Sequence, residues 1–261
     1  MYQSLIRSGA ENFTAKKVIE KIKLKLFEGI TTRKIYNLGF KELRKIDNPT
    51  ASRYEIKWAI MRLGKGEQGF SFEEYVSRIF EKLGYKTKLN VIAKGKNITH
   101  EIDLVIEKGN EKIMVECKHR SKPGIWIHIK VPLYVYARYM DLKTKFTGAY
   151  IVTNARFSKQ SQDYAKGVNL KLIGWNCPKF SSLKELADQT LVYPVTVLKS
   201  IDDKTLQTLL DAKLVVVTDI IENHDQLHSL IGNKKADELI NEAKQLQKKG
   251  KVSSPKKFRT N

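Results

Sequence analysis

The sequence predicts an α/β protein, with a central domain of alternating strands and helices between two helical regions. Apolar residues recur at helical spacing in residues 1–64 and 182–247. Residues 71–177 instead alternate helical stretches with short apolar runs of strand type, which is typical of a sheet with some parallel pairing. We therefore expect domains at 1–64, 69–178 and 182–247, followed by a basic, disordered tail at 248–261.

The first region is predicted to contain three helices. The amphipathic stretch of the first helix ends at Gly29 and carries apolar residues at Ile19, Ile22, Leu24 and Leu26. Thr31 or Thr32 caps a second helix, which runs from Ile35 to Leu43. A third helix runs through residues 54–61, beyond an Asn-Pro break, and ends at Gly64.

The central domain is expected to follow a charged, glycine-rich hinge at residues 65–70. Apolar residues at helical spacing from Phe72 to Leu83 predict its first helix. The runs Ile102–Ile106 and Ile113–Cys117 are predicted strands, and the short Gly-Asn connection makes them an antiparallel hairpin. We expect a lysine-rich loop at 85–100 before this hairpin. Beyond it come a helix near Pro132, a strand at Ala149–Thr153, a helix capped by Ser158 and a strand at Leu170–Gly174.

The chain is strongly basic, with 48 Lys and Arg against 28 Asp and Glu and a formal net charge of +20. Such a charge attracts polyanions, of which nucleic acid is the commonest. The alternative is a surface that is lysine-rich throughout and has no particular partner. Two cysteines imply no disulfide framework, and the sequence has neither a signal peptide nor the ~20 consecutive apolar residues that span a bilayer. We expect a cytoplasmic protein without a membrane partner.

Two acidic residues interrupt the apolar strands of the predicted hairpin. Alternate side chains of a strand share a face, so Glu116 and Lys118 point away from the core that Cys117 faces. Asp103 lies at the start of the neighbouring strand and is expected to meet Glu116 across the pair. A Glu-x-Lys triplet alone is typical of a solvated strand face. A carboxylate within an apolar strand is costly unless it is paired or binds a metal, which favours a functional site.

Paired carboxylates suit Mg²⁺, which takes one or two of them and keeps several waters beside a phosphate. We therefore expect Asp103 and Glu116 to bind Mg²⁺, with the backbone carbonyl of Cys117 as a candidate further ligand. Lys118 would orient the attacking water or neutralise charge that develops on phosphorus. The thiol of Cys117 is interpreted as a small buried apolar group.

The central domain resembles the Mrr-type restriction endonuclease domain of the PD-(D/E)xK nuclease superfamily. The resemblance covers residues 69–177 and rests on Gly69-Phe70-Ser71-Phe72-Glu73, Leu83-Gly84-Tyr85, His100-Glu101-Ile102-Asp103-Leu104 and Val115-Glu116-Cys117-Lys118-His119. It implies a central mixed sheet flanked by helices. It also implies that Asp103, Glu116 and Lys118 are catalytic and that Glu73 helps to hold metal or water. Glu74 is the alternative if the helix is shifted by one residue.

Basic side chains around the site are candidates for contact with a phosphate backbone. They are Lys86, Lys88, Lys94 and Lys96 in the predicted loop, and Lys130 and Arg138 beyond the hairpin. For each of them the alternative is an ordinary solvated cation.

Residues 1–64 resemble the ATP-cone, a small helical nucleotide-binding module. The matching stretches are Gly29-Ile30-Thr31-Thr32-Arg33-Lys34-Ile35-Tyr36 and Ala51-Ser52-Arg53-Tyr54. The chain lacks the strand segment that contributes nucleotide contacts in that family. The resemblance therefore favours a cone-like scaffold over nucleotide binding, leaves ATP or dATP as a candidate effector, and assigns no nucleotide-binding residue.

The C-terminal region resembles a helix-hairpin-helix DNA-binding module at Leu230-Ile231-Gly232-Asn233-Lys234-Lys235-Ala236. A glycine turn into a helix presents free backbone N–H groups to a phosphate, and Lys234 and Lys235 would strengthen that contact with DNA. The alternative is a pair of packing helices, because the usual second glycine is absent.

Together these features predict a Mg²⁺-dependent DNA endonuclease of restriction or repair, with a nucleotide as a candidate regulator. One alternative is a nucleotide-responsive DNA-binding regulator that does not cut. An RNA-binding role ranks last, because the sequence carries no aromatic motif of the common RNA modules. The oligomeric state is open, with a homodimer expected because double-strand cutting usually needs two sites.

Overall fold

The computed structural model describes residues 1–47, 50–51, 54–65 and 71–248. Its N-terminal part is helical, with α1 Tyr2–Arg7, α2 Asn12–Lys23, α3 Thr32–Ile46 and α4 Ile56–Arg62, which continues as a 3-10 turn over Leu63–Lys65. The predicted tail beyond residue 248, most of the predicted hinge and the Ser52-Arg53 part of the ATP-cone resemblance lie outside the described residues.

Helices α1 to α3 pack around a small core of their own. Its buried members are Leu5, Ala10, Ala15, Val18, Ile22, Leu43, Ala51 and Tyr54. Thr31 caps α3, because its hydroxyl oxygen accepts a hydrogen bond from the backbone N–H of Lys34. This confirms the first of the two caps considered from the sequence. Helix α4 does not share this core, since its apolar residues pack in the large core of the sheet.

The prediction that the first amphipathic helix runs to Gly29 is wrong. Helix α2 ends at Lys23, and the side chains of Leu24 and Leu26 are exposed. Leu24 lies about 200° around a helix from Ile22, so it cannot join the buried face. Apolar residues spaced by two therefore do not extend the helix beyond its buried stripe.

The described part of the central domain contains a five-stranded mixed sheet in the order β1-β2-β3-β5-β7. The strands are β1 Lys86–Lys94, β2 Thr99–Lys108, β3 Glu111–Lys118, β5 Gly148–Thr153 and β7 Lys171–Ile173. The first three pair antiparallel, and β3, β5 and β7 pair parallel. This confirms the predicted hairpin and the mixed sheet. A separate parallel pair joins β4 Trp126–Ile127 to β6 Arg156–Phe157.

The prediction of a loop at 85–100 is wrong, because most of it is the edge strand β1. Its positions alternate between exposed and partly buried side chains, and only Ala93 is fully buried. Lysines occupy exposed positions of this strand, as is common on edge strands, where charge opposes pairing with another chain. The high polarity of the segment hid its two-residue period.

Helices cover both faces of the sheet. Helix α5, Ser71–Lys82, packs on one face, and α6, Lys130–Leu142, with α7, Lys159–Gly167, packs on the other. Ser158 caps α7 as predicted, since its hydroxyl oxygen accepts from the backbone N–H of Ser161. The alternation predicted for β3 is confirmed, because Cys117 lies in the α5 core and Met114 in the opposite core.

The C-terminal region is helical, as the sequence predicts. Its helices are α8 Leu183–Thr190, α9 Asp203–Asp211, α10 Val217–Glu222, α11 His224–Ile231 and α12 Asn233–Lys248. Their apolar residues join α4 and α5 in one continuous core against the sheet. Within the described ranges, no helix combines the length and the apolar character needed to cross a membrane.

Candidate active site

The hydrogen-bond ladder between β2 and β3 stops at the pair Leu104 and Val115. One residue further, the carboxylate oxygen Oδ2 of Asp103 accepts a hydrogen bond of 2.7 Å from the backbone N–H of Cys117. The β1–β2 register also passes over Asp103 and its opposite residue Asn90, which has a φ of 52°. Strands β2 and β3 therefore separate at Asp103, whereas β1 and β2 resume pairing at Val91 and Ile102. The Asp103 side chain is held against β3 because its carboxylate accepts the hydrogen bond from the backbone N–H of Cys117.

Glu116 is buried on β3, with a side chain only 3% exposed. Both of its carboxylate oxygens are in ion pairs. Oε1 contacts the ammonium group of Lys118, and Oε2 lies 2.5 Å from Nη1 of Arg138. Arg138 also donates from Nη2 to the backbone carbonyl oxygen of Glu101. These contacts offset the cost of placing a carboxylate inside the sheet.

Glu73 lies in the first turn of α5 and faces the same cluster. Its oxygen Oε2 is buried and has no hydrogen-bond partner in the described part of the chain. Burial and the nearby charge of Asp103 raise the pKa of Glu73 to about 8, against the opposing effect of Lys118.

Glu74 turns away from the site. Its Oε1 lies 3.9 Å from Nζ of Lys213, which follows α9. The phase of α5 therefore places Glu73 at the site, as the sequence predicts, and not Glu74.

Asp103 is also affected by burial and by a neighbouring carboxylate. Burial and the charge of Glu116 raise its pKa, while the hydrogen bond from Cys117 and the positive charges of Lys118 and Arg138 lower it. Burial alone would lower the pKa of Lys118, but Glu116 and Asp103 raise it, which keeps the ammonium group protonated. The structure thus brings together the four side chains selected from the sequence.

Full ionisation would give the cluster an excess of negative charge, because three carboxyl groups face two cations, and the raised pKa of Glu73 reflects this. Among the described residues, no group of three or more His, Cys, Asp and Glu side chains is arranged to hold a metal ion. The cluster still fits Mg²⁺, which needs only one or two protein carboxylates, and the unpartnered oxygen of Glu73 is available as an acceptor for metal-bound water.

Arg138 was a candidate for contact with a phosphate, with an ordinary solvated cation as the alternative, and both interpretations are wrong. Its side chain is buried and bound to Glu116. The sequence does carry a signal for this, because Arg138 falls at helical spacing among Val131, Val135 and Leu142 on the face of α6 that packs on the sheet. A lone arginine on an apolar helix face indicates a buried carboxylate partner.

Cys117 and His119 flank Lys118 with structural roles. Cys117 is buried in the α5 core, and burial raises the pKa of its thiol, which confirms its interpretation as an apolar group. The ring of His119 packs on Phe72, and its Nε2 lies 2.9 Å from the backbone carbonyl oxygen of Ile60. Helix α4 is therefore attached to the end of the strand that carries Lys118.

The predicted DNA contacts are spread over the surface. Lys86, Lys88, Lys94, Lys96, Lys130 and Lys234 are exposed. Lys235 is partly buried, with Nζ 3.8 Å from Asp202 and 3.7 Å from Glu238. Gly232 has a φ of 80° at the turn from α11 into α12. The DNA-binding roles of these lysines stay predictions.

Two family models match the chain, one described as "Restriction endonuclease" over residues 65–183 and one as "AF1548-like, C-terminal" over residues 193–247. A protein of Archaeoglobus fulgidus, described as uncharacterized, is 37% identical over 174 residues, which are 66% of this chain and 99% of that protein. The chain belongs to this AF1548-like, restriction-endonuclease-like family.

The fold of the AF1548-like family is known from a crystal structure described as "Protein of Unknown Function AF1548". It is 36% identical to the chain, covers 68% of it and 97% of its own chain, and superposes with a TM-score of 0.61. The restriction-endonuclease-like domain therefore contains Glu73, Asp103, Glu116 and Lys118. Neither matched model extends over residues 1–64, so the ATP-cone resemblance stays a prediction, as does that of α11 and α12 to a helix-hairpin-helix module.

Proposed function

We propose that the chain is a Mg²⁺-dependent endonuclease that hydrolyses phosphodiester bonds in DNA, in restriction or repair. One observation carries the proposal. Glu73, Asp103, Glu116 and Lys118 converge where β2 and β3 separate, inside the region that matches a restriction endonuclease model. The net charge of +20 supports a polyanionic substrate.

Asp103 and Glu116 are the residues that would hold the metal. When bound, Mg²⁺ would polarise a phosphoryl oxygen and lower the pKa of an attacking water. The chemistry of the donors fits this ion, because carboxylates that raise one another's pKa are relieved by a divalent cation. Arg138 holds one oxygen of Glu116 and so fixes the orientation of that carboxylate.

Lys118 acts as a cation and not as a base, because its neighbours keep it protonated. Its ammonium group would donate to a phosphoryl oxygen on which negative charge develops. Glu73 can retain a proton on Oε2 near neutral pH, since its pKa is raised to about 8. A positive charge in the cluster would lower that pKa and allow Glu73 to accept a proton from water.

The test is Mg²⁺-dependent cleavage of plasmid DNA by the purified protein and by Lys118→Ala. Loss of a preorganised donor to the transition state predicts a fall in rate of at least about 100-fold. The matched control is Lys166→Ala, which removes an exposed lysine from α7 and should cut at the wild-type rate. Circular dichroism would show that both variants are folded.

Equal cutting by wild type and Lys118→Ala would contradict the proposal. DNA binding by the wild type without any scission would contradict it too, and would favour the alternative of a DNA-binding regulator.

A further inference from the structure

A cavity of about 190 Å³ lies beyond the candidate active site, at the carboxyl ends of β3 and β5. The chain leaves β3 at Lys118 and reaches the cavity at Arg120, and it leaves β5 at Thr153 and reaches it at Asn154. We call this cavity the basic pocket. The side chains that matter here are Lys57, Arg120, Lys122, Trp126, Asn154 and Arg156.

The basic pocket collects positive charge without a counterion. Four of its lining residues are cations and none is acidic. Among the described residues, no carboxylate forms an ion pair with Lys57, Arg120, Lys122 or Arg156. Burial and the charge of Arg156 lower the pKa of Lys57. Cations held together in this way are stabilised by a bound anion.

The loop that supplies Arg120 is held in place by side-chain hydrogen bonds. Asn154 is buried, and its Oδ1 accepts from the backbone N–H of Arg120 while its Nδ2 donates to the backbone carbonyl oxygen of Arg120, both at 2.8 Å. The hydroxyl of Thr153 donates to the backbone carbonyl oxygen of Lys118. The contacts that fix the end of β3 at Lys118 therefore also shape the basic pocket.

Trp126 provides an aromatic wall that solvent reaches. Trp126 is 43% exposed. It pairs with Arg156 between β4 and β6, and the guanidinium carbon of Arg156 lies 5.9 Å from the centre of its ring. Cations that hold a nucleic-acid backbone, next to an exposed aromatic ring, are typical of sites for single strands, in which an unpaired base stacks on the ring. A base inside a duplex is already stacked and cannot do this.

We propose that the basic pocket binds a phosphate of the cut strand and that Trp126 stacks on an adjacent unpaired base. The substrate would then be DNA with a single-stranded segment next to the scissile bond. The Cα atoms of Lys118 and Arg120 can be at most about 7 Å apart, so the basic pocket adjoins the proposed reacting centre and would take a phosphate close to the reacting one along the strand. The position of this phosphate relative to the scissile bond rests on the proposed nuclease function, whereas the binding of single-stranded DNA by the basic pocket does not.

The experiment measures fluorescence anisotropy of labelled DNA of about 20 nucleotides, single-stranded or duplex, with the full chain in EDTA over a range of salt concentrations. Lys122→Gln with Arg156→Gln should weaken single-strand binding about tenfold and reduce the salt slope by about 1.4, which corresponds to two lost phosphate contacts. The control is Lys143→Gln with Lys166→Gln, which removes the same charge from exposed positions and should change neither quantity by as much.

Trp126→Leu tests the stacking step. It should weaken single-strand binding about fivefold or more, leave the salt slope unchanged and leave duplex binding unchanged. Phe13→Leu is its control, because Phe13 is an exposed aromatic residue of the N-terminal helices.

Two results would overturn the inference. The pocket is not a phosphate site if its double variant binds single strands like the surface control. The unpaired base is excluded if Trp126→Leu weakens duplex and single-strand binding equally. Because no metal is present, the result is independent of cleavage. A chain that binds through the pocket but never cuts would refute only the nuclease proposal.

Discussion

Two glutamates, Glu42 in the N-terminal helices and Glu116 in the sheet, are equally shielded but lie in opposite electrostatic surroundings. Each has a side chain that is 3% exposed. Glu42 is surrounded by three lysines, with Nζ of Lys25 at 2.6 Å and Nζ of Lys45 at 3.0 Å. Hydrogen bonds from these two lysines lower the pKa of Glu42 to about 2.

The surroundings of Glu116 hold too little positive charge for the carboxylates present. The pKa values of Asp103 and Glu73 are raised, and Oε2 of Glu73 is buried without a hydrogen-bond partner among the described residues. A cluster that only stabilises a fold is expected to resemble that of Glu42, in which charges are balanced. Acidic groups kept under repulsion are typical of functional sites, where a metal or substrate supplies the missing charge.

The largest expected effect is on cleavage, which should depend on the carboxylates around Glu116 and not on Glu42. Asp103→Asn should lower the cleavage rate about 1,000-fold, because it removes a carboxylate that we propose to bind the metal. The free energy of unfolding should stay within about 0.5 kcal/mol or rise, since asparagine keeps an acceptor for the N–H of Cys117 and relieves repulsion. Plasmid cleavage and urea denaturation measure the two quantities. A large loss of stability would mean that Asp103 is mainly structural.

The second effect is smaller and affects stability alone. Glu42→Gln should lower the free energy of unfolding by about 2 kcal/mol, because it leaves three lysines without their shared carboxylate. Since folding lowers the pKa of Glu42 from 4.5 to about 2, this stabilisation is present above pH 4.5 and is lost as pH falls towards 2. Urea denaturation between these pH values should therefore bring wild type and variant together. A change in cleavage rate per folded molecule would contradict the comparison.

The smallest effect has the opposite sign with pH. Folding raises the pKa of Glu73 from 4.5 to about 8, so the folded chain binds the proton more tightly and stability falls as pH rises through this range. Glu73→Gln should flatten that slope. In EDTA, the free energy of unfolding of the variant relative to wild type should be about 1 kcal/mol higher at pH 8 than at pH 5. Equal pH dependence in both proteins would show that Glu73 does not titrate in the cluster.

Much of the sheet and the site could be predicted, because Asp103 and Glu116 stand out as acids in apolar strands. Alternation in β3 gives the face of Glu116, whereas it breaks at Asp103, whose neighbours Ile102 and Leu104 lie in opposite cores. Glu73 was selected by the resemblance to the Mrr-type domain, and helical spacing in α5 left Glu74 open as the alternative.

The features that were missed depend on contacts between segments distant in the chain. Strand β1 is an edge strand and has little burial to mark its period. The role of Arg138 depends on its meeting Glu116 across the packed face of α6, and the basic pocket assembles Lys57 with residues 120–126 and 154–156. The local sequence pattern carries no information about these long-range contacts, because they are set by how the helices pack on the sheet.

The hydrogen bond from Cys117 to Asp103 also constrains how this family can evolve. The oxygen atoms of that side chain belong to the architecture of the sheet as much as to its chemistry. A relative without the proposed hydrolytic activity still could not freely replace the aspartate with an apolar residue, since the backbone N–H of Cys117 would lose its hydrogen-bond acceptor. Descendants that keep the scaffold for another purpose are expected to retain an oxygen acceptor here, most simply by exchanging the acid for its amide.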